Sequence, residues 1–124
     1  MPDKDLVITS AVLQKLIALR AEPKFHKDWD RFYSGAPTEE IRRKAESAMN
    51  KMLERLLTGI KKSPKKSYVL AEFSELLNSF VHHDSEEREE CCEYCERVMK
   101  LLEIESSDGL LNTWLYGFDP EKRS

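Results

Sequence analysis

Glycine and proline are scarce in this sequence. The 124 residues include four glycines and five prolines, and these residue types are needed at the turns that join short strands. A fold with many β-turns is therefore not expected. No stretch approaches the ~20 consecutive apolar residues of a membrane-spanning helix, so we expect no membrane association. The N-terminus carries Asp3 and Asp5 instead of the basic residues of a signal peptide.

Cysteine is also rare, and its three occurrences, Cys91, Cys92 and Cys95, are clustered. An odd, clustered set does not make a disulfide framework, so we expect a reducing, cytoplasmic compartment. Cys92 and Cys95 have the C-x-x-C spacing of zinc and redox sites, but no second pair and no regular histidine set accompanies them. Cys91 and Cys92 point ~100° apart on a helix, so the three thiols cannot converge on one ion. We interpret them as structural residues.

The composition fits an amphipathic, helix-rich chain, with 40% hydrophobic and 35% charged residues. Every long segment has apolar residues with a period near 3.6, which is typical of amphipathic helices. The sequence therefore predicts an all-α fold, an irregular bundle of four main helices plus one or two short helices, in a single domain of residues 1–124. The main helices are predicted over about 8–21, 38–60, 64–82 and 84–102, and short helices over 24–34 and 110–116.

Capping patterns mark the starts of the third and fourth helices. Ser63 followed by Pro64 predicts an N-cap and a first helical position. Asp84 followed three residues later by Glu87 predicts a capping box, in which two side chains satisfy the free N–H groups of the first turn.

Four aromatic residues lie between residues 24 and 34. Phe25, Trp29, Phe32 and Tyr33 are spaced i, i+4, i+7 and i+8, which predicts one face of a short helix. Core packing is the interpretation we favour, because a helical aromatic stripe must be covered. A partner-binding patch, a nucleobase-stacking platform and the lining of a ligand pocket remain as alternatives.

Charge is unevenly distributed, although the net charge is only −3. Residues 42–66 contain nine basic and two acidic residues, a net of +7, and residues 84–108 contain ten acidic and three basic residues, a net of −7. The two blocks either face each other or present opposite faces to partners. Because the basic residues are spread around and beyond one helix, we interpret them as a solvated face and do not expect nucleic-acid binding.

The fourth predicted helix carries its glutamates away from its apolar stripe, so we expect them, Glu87 included, to face water. A row of carboxylates is suited to the capture of a basic protein, because complementary charge speeds and orients association. The candidate partner-binding residues are Glu86, Glu89, Glu90, Glu93 and Glu96.

Motifs for catalysis and metal binding are missing or incomplete. The His82-His83-Asp84 sequence contains the His-Asp step of helical HD phosphohydrolases, but those enzymes need further ligands, and His26 is the only other histidine. The chain has no Glu-x-x-His, Gly-rich phosphate loop, G-x-S-x-G or H-E-x-x-H. We therefore expect no enzymatic activity and no cofactor. The residues that remain as weak candidates for metal ligands are His82, His83, Cys91 and Cys95.

The end of the chain is predicted to close the bundle. Ser106, Ser107 or Asp108 is suited to cap the short helix at residues 110–116, and Gly117 to end it in the left-handed conformation. In that arrangement Trp114 and Phe118 are buried against the bundle.

Residues 101–120, LLEIESSDGLLNTWLYGFDP, and the Cys- and Tyr-rich helix before them resemble a family of small bacterial proteins of unknown function. The resemblance covers about the last third of the chain. It implies a bacterial, cytoplasmic, single-domain helical protein, and it brings no catalytic residues with it.

We therefore hypothesise a non-enzymatic protein-binding module, comparable to immunity or antitoxin proteins, that uses the acidic helix surface. Two alternatives are a small-molecule or metal-binding bundle and a homodimer in which the two charge blocks pair between chains.

Overall fold

The computed structural model describes residues 5–117, and regular structure in that range is helical. Besides its helices, the range contains only two isolated β-bridges, between Asp5 and Lys65 and between Asp28 and Tyr33. The predicted all-α fold is confirmed, with four main helices and a short one. The elements are α1 (Ser10–Ala21), a 3-10 turn (Trp29–Arg31), α2 (Glu39–Gly59), α3 (Lys66–Asn78), α4 (Ser85–Leu101) and α5 (Leu110–Tyr116). No helix among these residues is long and apolar enough to cross a membrane.

The longest helix, α2, packs against both α1 and α3, while α4 contacts α1, α3 and α5. The core therefore lies between α2 on one side and α4 on the other. The buried residues of α2 recur at helical spacing, as its sequence predicts, and they are Ala45, Met49, Met52, Leu53 and Leu56. Across the core, α3 buries Val69, Phe73, Leu76 and Leu77.

Helix α3 begins later than predicted. Its first residue is Lys66, and Lys65 occupies the cap position without a side-chain hydrogen bond, so the prediction of Ser63 as N-cap is wrong. The segment before α3 instead contacts the N-terminal part of the chain, where the backbone N–H of Leu6 donates to the carbonyl of Pro64 at 2.6 Å. The N–H of Lys65 donates to the carbonyl of Ser63 at 2.8 Å, and Lys65 itself is extended and bridges to Asp5. Residues 63–65 therefore form a tight turn and not the first turn of α3.

The predicted capping box of α4 is also wrong, although the helix begins where expected. Asp84 is the N-cap residue, but its side chain makes no capping hydrogen bond. Glu87 does not reach back to the cap, because its carboxylate accepts a hydrogen bond from the hydroxyl of Tyr33 at 2.9 Å. A tertiary contact has replaced the local one.

The last helix, α5, covers residues 110–116 as predicted, and Gly117 follows it with a φ of 83°. The side chain of Trp114 is partly buried against the core. The guanidinium of Arg88 lies 5.4 Å from the centre of its ring, a cation–π arrangement. The expected packing of Trp114 is thus only partial, and Phe118 lies outside the described residues.

Candidate functional site

The segment at residues 24–34 is a loop and not the predicted aromatic helix. Phe25 and Tyr33 are buried, but Trp29 is 63% exposed and Phe32 is 92% exposed, so the prediction that all four aromatic residues pack in the core is wrong. The backbone of Phe25 and Phe32 has φ values of 62° and 56°, in the left-handed region that non-glycine residues seldom adopt. These two residues interrupt any helix, and regular structure is limited to one 3-10 turn.

Hydrogen bonds hold this loop, residues 25–36, in a defined shape. The backbones of Asp28 and Tyr33 bond to each other in both directions, at 2.8 and 2.9 Å. Within the turn, the side chain of Asp28 accepts a hydrogen bond from the N–H of Asp30 at 3.1 Å. At the base of the loop, the N–H of Ala36 donates to the carbonyl of Phe25 at 3.2 Å. We refer to residues 25–36 as the aromatic loop.

Both ends of the aromatic loop are attached to the bundle. The ring of Phe25 lies 5.7 Å from that of Phe80 and 5.2 Å from that of Tyr94, measured between centroids. Its N–H also donates to the hydroxyl of Tyr94 at 3.3 Å. At the other end, Tyr33 bonds to Glu87 of α4. The loop is therefore fixed on α4, and its tip carries Trp29 and Phe32 into solvent.

Lys24, just before the loop, is a buried cation that sequence reasoning missed. Its ammonium donates to the carbonyls of Arg20 and Glu22, each at 2.9 Å, at the C-terminal end of α1. Its backbone N–H donates to the carboxylate of Glu46 at 2.9 Å. Burial lowers the pKa of Lys24 to about 8, partly offset by Glu46. Its position just past a helix end, where cations are favoured, was the available signal.

The loop changes which glutamates of α4 face water. Glu87 is 1% exposed and Glu90 is 4% exposed, so the prediction that they face solvent is wrong. A helical projection placed them off the apolar stripe, but the aromatic loop covers that flank of α4. Burial raises the pKa of the Glu87 carboxyl, against the opposing effect of the hydrogen bond from Tyr33. Burial and that same bond raise the pKa of Tyr33.

The other four candidate glutamates, Glu86, Glu89, Glu93 and Glu96, are exposed, and we refer to them as the acidic face. At 100° per residue they fall within an arc of roughly 80° on the helix. The carboxylate of Glu86 accepts a hydrogen bond from the hydroxyl of Ser34 at 3.2 Å. Burial, followed by the neighbouring Glu93, raises the pKa of Glu96.

Acidic residues elsewhere on the surface commonly have a basic partner. Glu54 pairs with Arg20, Glu72 with Arg55 at 2.9 Å, and Glu22 with Arg97 at 2.9 Å. Among the described residues, no such ion pair forms with Glu86, Glu89, Glu93 or Glu96. Glu86, Glu89 and Glu93 are thus like charges without an ion pair among the described residues, while the positive charge of Lys100 partly offsets that of Glu96.

The tip of the aromatic loop and α4 enclose a groove of about 350 Å³. One wall is aromatic and the other carries carboxylates. The lining residues are Phe32, Tyr33, Glu86, Glu89, Glu90 and Glu93. Four of the five candidate partner-binding residues therefore line one concave surface, and the fifth, Glu96, lies further along α4.

Comparison with known proteins gives the family of this chain. The sequence profile of a domain of unknown function, DUF4844, matches residues 7–119. The chain belongs to the DUF4844 family. The resemblance noted for the last third therefore extends over most of the sequence, to a family whose function is unknown. None of the curated proteins compared with the chain matches it.

A solved structure has a similar fold. The crystal structure of a DUF3571 family protein from Acinetobacter baumannii superposes with a TM-score of 0.77. The two sequences are 24% identical, over 87% of this chain and 90% of that chain. This likeness supports the all-helical fold and carries no functional information.

The three cysteines are buried and unpaired, as predicted for structural thiols. Burial raises the pKa of the Cys92 thiol to about 12 and raises the pKa of Cys95 as well, where a hydrogen bond with Cys91 adds to the effect. Because the thiolate is the form that attacks electrophiles and binds metals, this environment disfavours both reactions.

The histidines lie apart from the cysteines. His82 and His83 line a groove of about 430 Å³ together with Asp84 and Glu87, and no cysteine reaches it. The ring of His83 lies 4.6 Å from that of Phe80, and burial lowers the pKa of His83. Within residues 5–117 no three His, Cys, Asp or Glu side chains come together in a way that suits a metal ion. The structure does not bring the four weak metal candidates into one site.

Part of the basic block lines a third groove, between α2 and α3, which we refer to as the basic groove. This groove has a volume of about 500 Å³, and Arg43, Lys44, Lys51 and Arg55 contribute its positive charge. Arg55 is already paired with Glu72, Arg43 with Glu39 and Lys44 with Glu40. The two charge blocks meet at the ion pair between Lys66 and Asp108, at 3.0 Å, whereas the acidic face of α4 remains outside such pairing.

Proposed function

We propose that this chain is a non-enzymatic protein-binding module whose acidic face captures a basic partner protein, in the way that immunity or antitoxin proteins capture basic toxins. The observation that carries the proposal is that Glu89 and Glu93 are exposed on one side of α4 and form no ion pair among the described residues. Like charges that are crowded on a helix destabilise it. A partner that supplies positive charge relieves this repulsion.

Electrostatics also gives the acidic face a kinetic role. Complementary charge on two proteins raises the rate of encounter and orients the partners, and salt screens the effect. Exposed acids such as Glu22 and Glu54 are paired within the chain, whereas Glu86, Glu89 and Glu93 lie together along one groove. A basic partner is therefore directed to α4 in preference to other surfaces.

The proposal places the module in the cytoplasm of a bacterium. Three free thiols fit a reducing compartment, and the similar fold from Acinetobacter baumannii fits a bacterial source. The raised pKa of the Cys92 and Cys95 thiols also fits a role without thiol chemistry.

Affinity capture from a lysate of the source organism at low salt tests this function. We expect the immobilised protein to retain a basic protein that is released as salt is raised. The double variant Glu89→Gln/Glu93→Gln removes two charges from the acidic face with little change of shape. It is expected to retain at least tenfold less of that protein, because each lost charge weakens steering and complementarity.

The matched control is Glu103→Gln/Glu105→Gln, which removes the same charge from two exposed acids outside α4. Capture by this variant should equal that of the unmodified protein. Equal losses in both double variants would show a non-specific charge effect and contradict a site on α4, as would undiminished capture by Glu89→Gln/Glu93→Gln.

A homodimer is a second candidate, and the basic groove favours it. Lys51 lines that groove together with Arg43 and Lys44, whose exposed ion pairs with Glu39 and Glu40 can be exchanged for pairs with the acidic face of another copy. Light scattering at low and high salt separates the two ideas, because a dimer held by charge dissociates as screening increases. A monomer under both conditions would exclude the homodimer.

A further inference from the structure

The aromatic loop and the acidic face form one surface, and their chemistry is complementary. We propose that Phe32, supported by Trp29, is the anchor with which this surface holds an arginine-rich, partly apolar segment of the partner protein. The inference rests on the proposed function and adds the chemical class of segment that the groove accepts.

The rings of Phe32 and Trp29 are largely uncovered. Large aromatic side chains contribute most to stability when they are covered, yet Phe32 is 92% exposed and Trp29 is 63% exposed. They belong to the same tight turn, in which the N–H of Phe32 donates to the carbonyl of Trp29 at 3.2 Å. The ammonium of Lys27 lies 4.8 Å from the centre of the Trp29 ring. Phe32 has no comparable cover among the described residues, so its ring is the one available to a partner.

The loop is organised before any partner arrives. Its ends are fixed by buried Phe25 and Tyr33, and its tip by the paired backbones of Asp28 and Tyr33. Rigid aromatic anchors lose little conformational freedom on binding. Such rings are frequently the residues that dominate an interface, whereas flexible exposed side chains contribute little.

The charge on the opposite wall selects the occupant. The groove places the Phe32 ring across from carboxylates that include Glu86, Glu89 and Glu93. An arginine side chain matches both walls: its planar guanidinium stacks on an aromatic ring and forms paired hydrogen bonds with carboxylates. Apolar residues of the same segment then cover what remains of the Phe32 and Trp29 rings. An acidic or purely apolar segment satisfies only one wall.

Titration of a synthetic peptide tests the inference. The probe is a 12-residue peptide of alternating arginine and leucine, compared with a glutamate–leucine peptide of the same length at low salt. Covering Trp29 should shift its fluorescence to shorter wavelength, and the Trp29→Phe variant should lack this shift. We expect the arginine–leucine peptide to bind and the glutamate–leucine peptide not to bind.

Substitution of Phe32 then isolates the anchor. Phe32→Ala and Phe32→Asn should each weaken binding of the arginine–leucine peptide about tenfold or more, as expected for an interface hot spot. Asparagine tolerates the left-handed backbone at this position. Because the Phe32 ring is exposed, its removal should leave the melting temperature of the protein unchanged. The control Tyr116→Ala removes an exposed ring on α5, and its affinity should stay within about twofold of the unmodified protein, as for a residue outside the interface.

The outcomes separate the two proposals. If the Phe32 variants bind like the unmodified protein while Glu89→Gln/Glu93→Gln binds more weakly, the anchor is wrong and the acidic binding surface stands. If the glutamate–leucine peptide binds as tightly as the arginine–leucine peptide, charge does not select the occupant and the inference fails. If the arginine–leucine peptide does not bind at low salt, both proposals are contradicted.

Discussion

The hydroxyl of Tyr33 donates a hydrogen bond of 2.9 Å to the carboxylate of Glu87, and both side chains are buried. The two residues are 54 positions apart in the chain. Their bond joins the aromatic loop to α4 and sets the position of the exposed ring of Phe32 relative to the acidic face. The loop and the helix therefore act as one surface.

Removing the Tyr33 hydroxyl should destabilise the protein. Tyr33→Phe leaves the buried Glu87 carboxylate without this donor, at a cost of about 1–3 kcal/mol. Urea unfolding of Tyr33→Phe measures the change, with the exposed Tyr116→Phe as a control expected to be close to neutral. In a double-mutant cycle with Glu87→Gln, the two substitutions should not be additive, because the residues contact each other. Additive effects would show that the bond contributes little.

Glu87 should make stability depend on pH. Its pKa is raised in the folded state, so the folded protein retains a proton that the unfolded chain has released. Stability therefore falls as pH rises from the unfolded pKa through the folded pKa, by about 1.4 kcal/mol for each unit of the shift. Glu87→Gln lacks this titration. The free energy of unfolding of Glu87→Gln minus that of the unmodified protein should therefore increase as pH is raised from 4 to 7.5.

Urea unfolding at both pH values measures that difference. Glu105→Gln, at an exposed acid outside α4, is the control and should track the unmodified protein. An unaltered pH dependence in Glu87→Gln would contradict a raised pKa for Glu87.

Gly59, the last residue of α2, should not tolerate alanine. A Cβ atom there would lie 2.2 Å from the hydroxyl oxygen of Tyr68 and 2.7 Å from the ring carbon that bears it. The same hydroxyl donates to the carbonyl of Arg55 at 2.7 Å. Although alanine favours helix by about 1 kcal/mol over glycine, we expect Gly59→Ala to be destabilising by about 1–3 kcal/mol, because the ring must move.

Thermal unfolding checks this expectation. In a Tyr68→Leu background the obstructing ring is gone, so Gly59→Ala should be neutral or stabilising there. A stabilising Gly59→Ala in the unmodified protein would show that the Tyr68 ring moves without penalty.

The cysteines should resist alkylation while the protein is folded. Burial raises the pKa of Cys92 to about 12, which lowers the thiolate fraction at pH 7 roughly a thousandfold or more relative to a free cysteine. Mass spectrometry after iodoacetamide treatment should find Cys91, Cys92 and Cys95 unlabelled in buffer and labelled in urea. Rapid labelling of the folded protein at any of them would show an accessible, reactive thiol.

Local sequence predicted the features that depend on neighbouring residues. The buried stripe of α2, from Ala45 to Leu56, could be predicted because its 3.6-residue period of apolar residues is a property of the helix sequence alone. The range of α5 and the left-handed Gly117 follow equally from local preferences. Cys91 and Cys95, four residues apart on α4, are buried on one side of that helix, again at helical spacing.

Distant contacts decided the features that local patterns misjudged. The aromatic residues at positions 25–33 have helical spacing, but the pairing of Asp28 with Tyr33 and the packing of Phe25 against Phe80 favour a loop. For the same reason Ser63 does not cap α3, since Pro64 bonds to Leu6.

The sequence by itself determined an all-helical bundle, buried thiols and a helix rich in glutamates, because periodicity and composition act over a few residues. Only the tertiary structure decided that Glu87 and Glu90 are buried while Phe32 is exposed beside Glu86 and Glu89. The aromatic loop folds over one flank of α4, and no local pattern records which flank a distant segment covers.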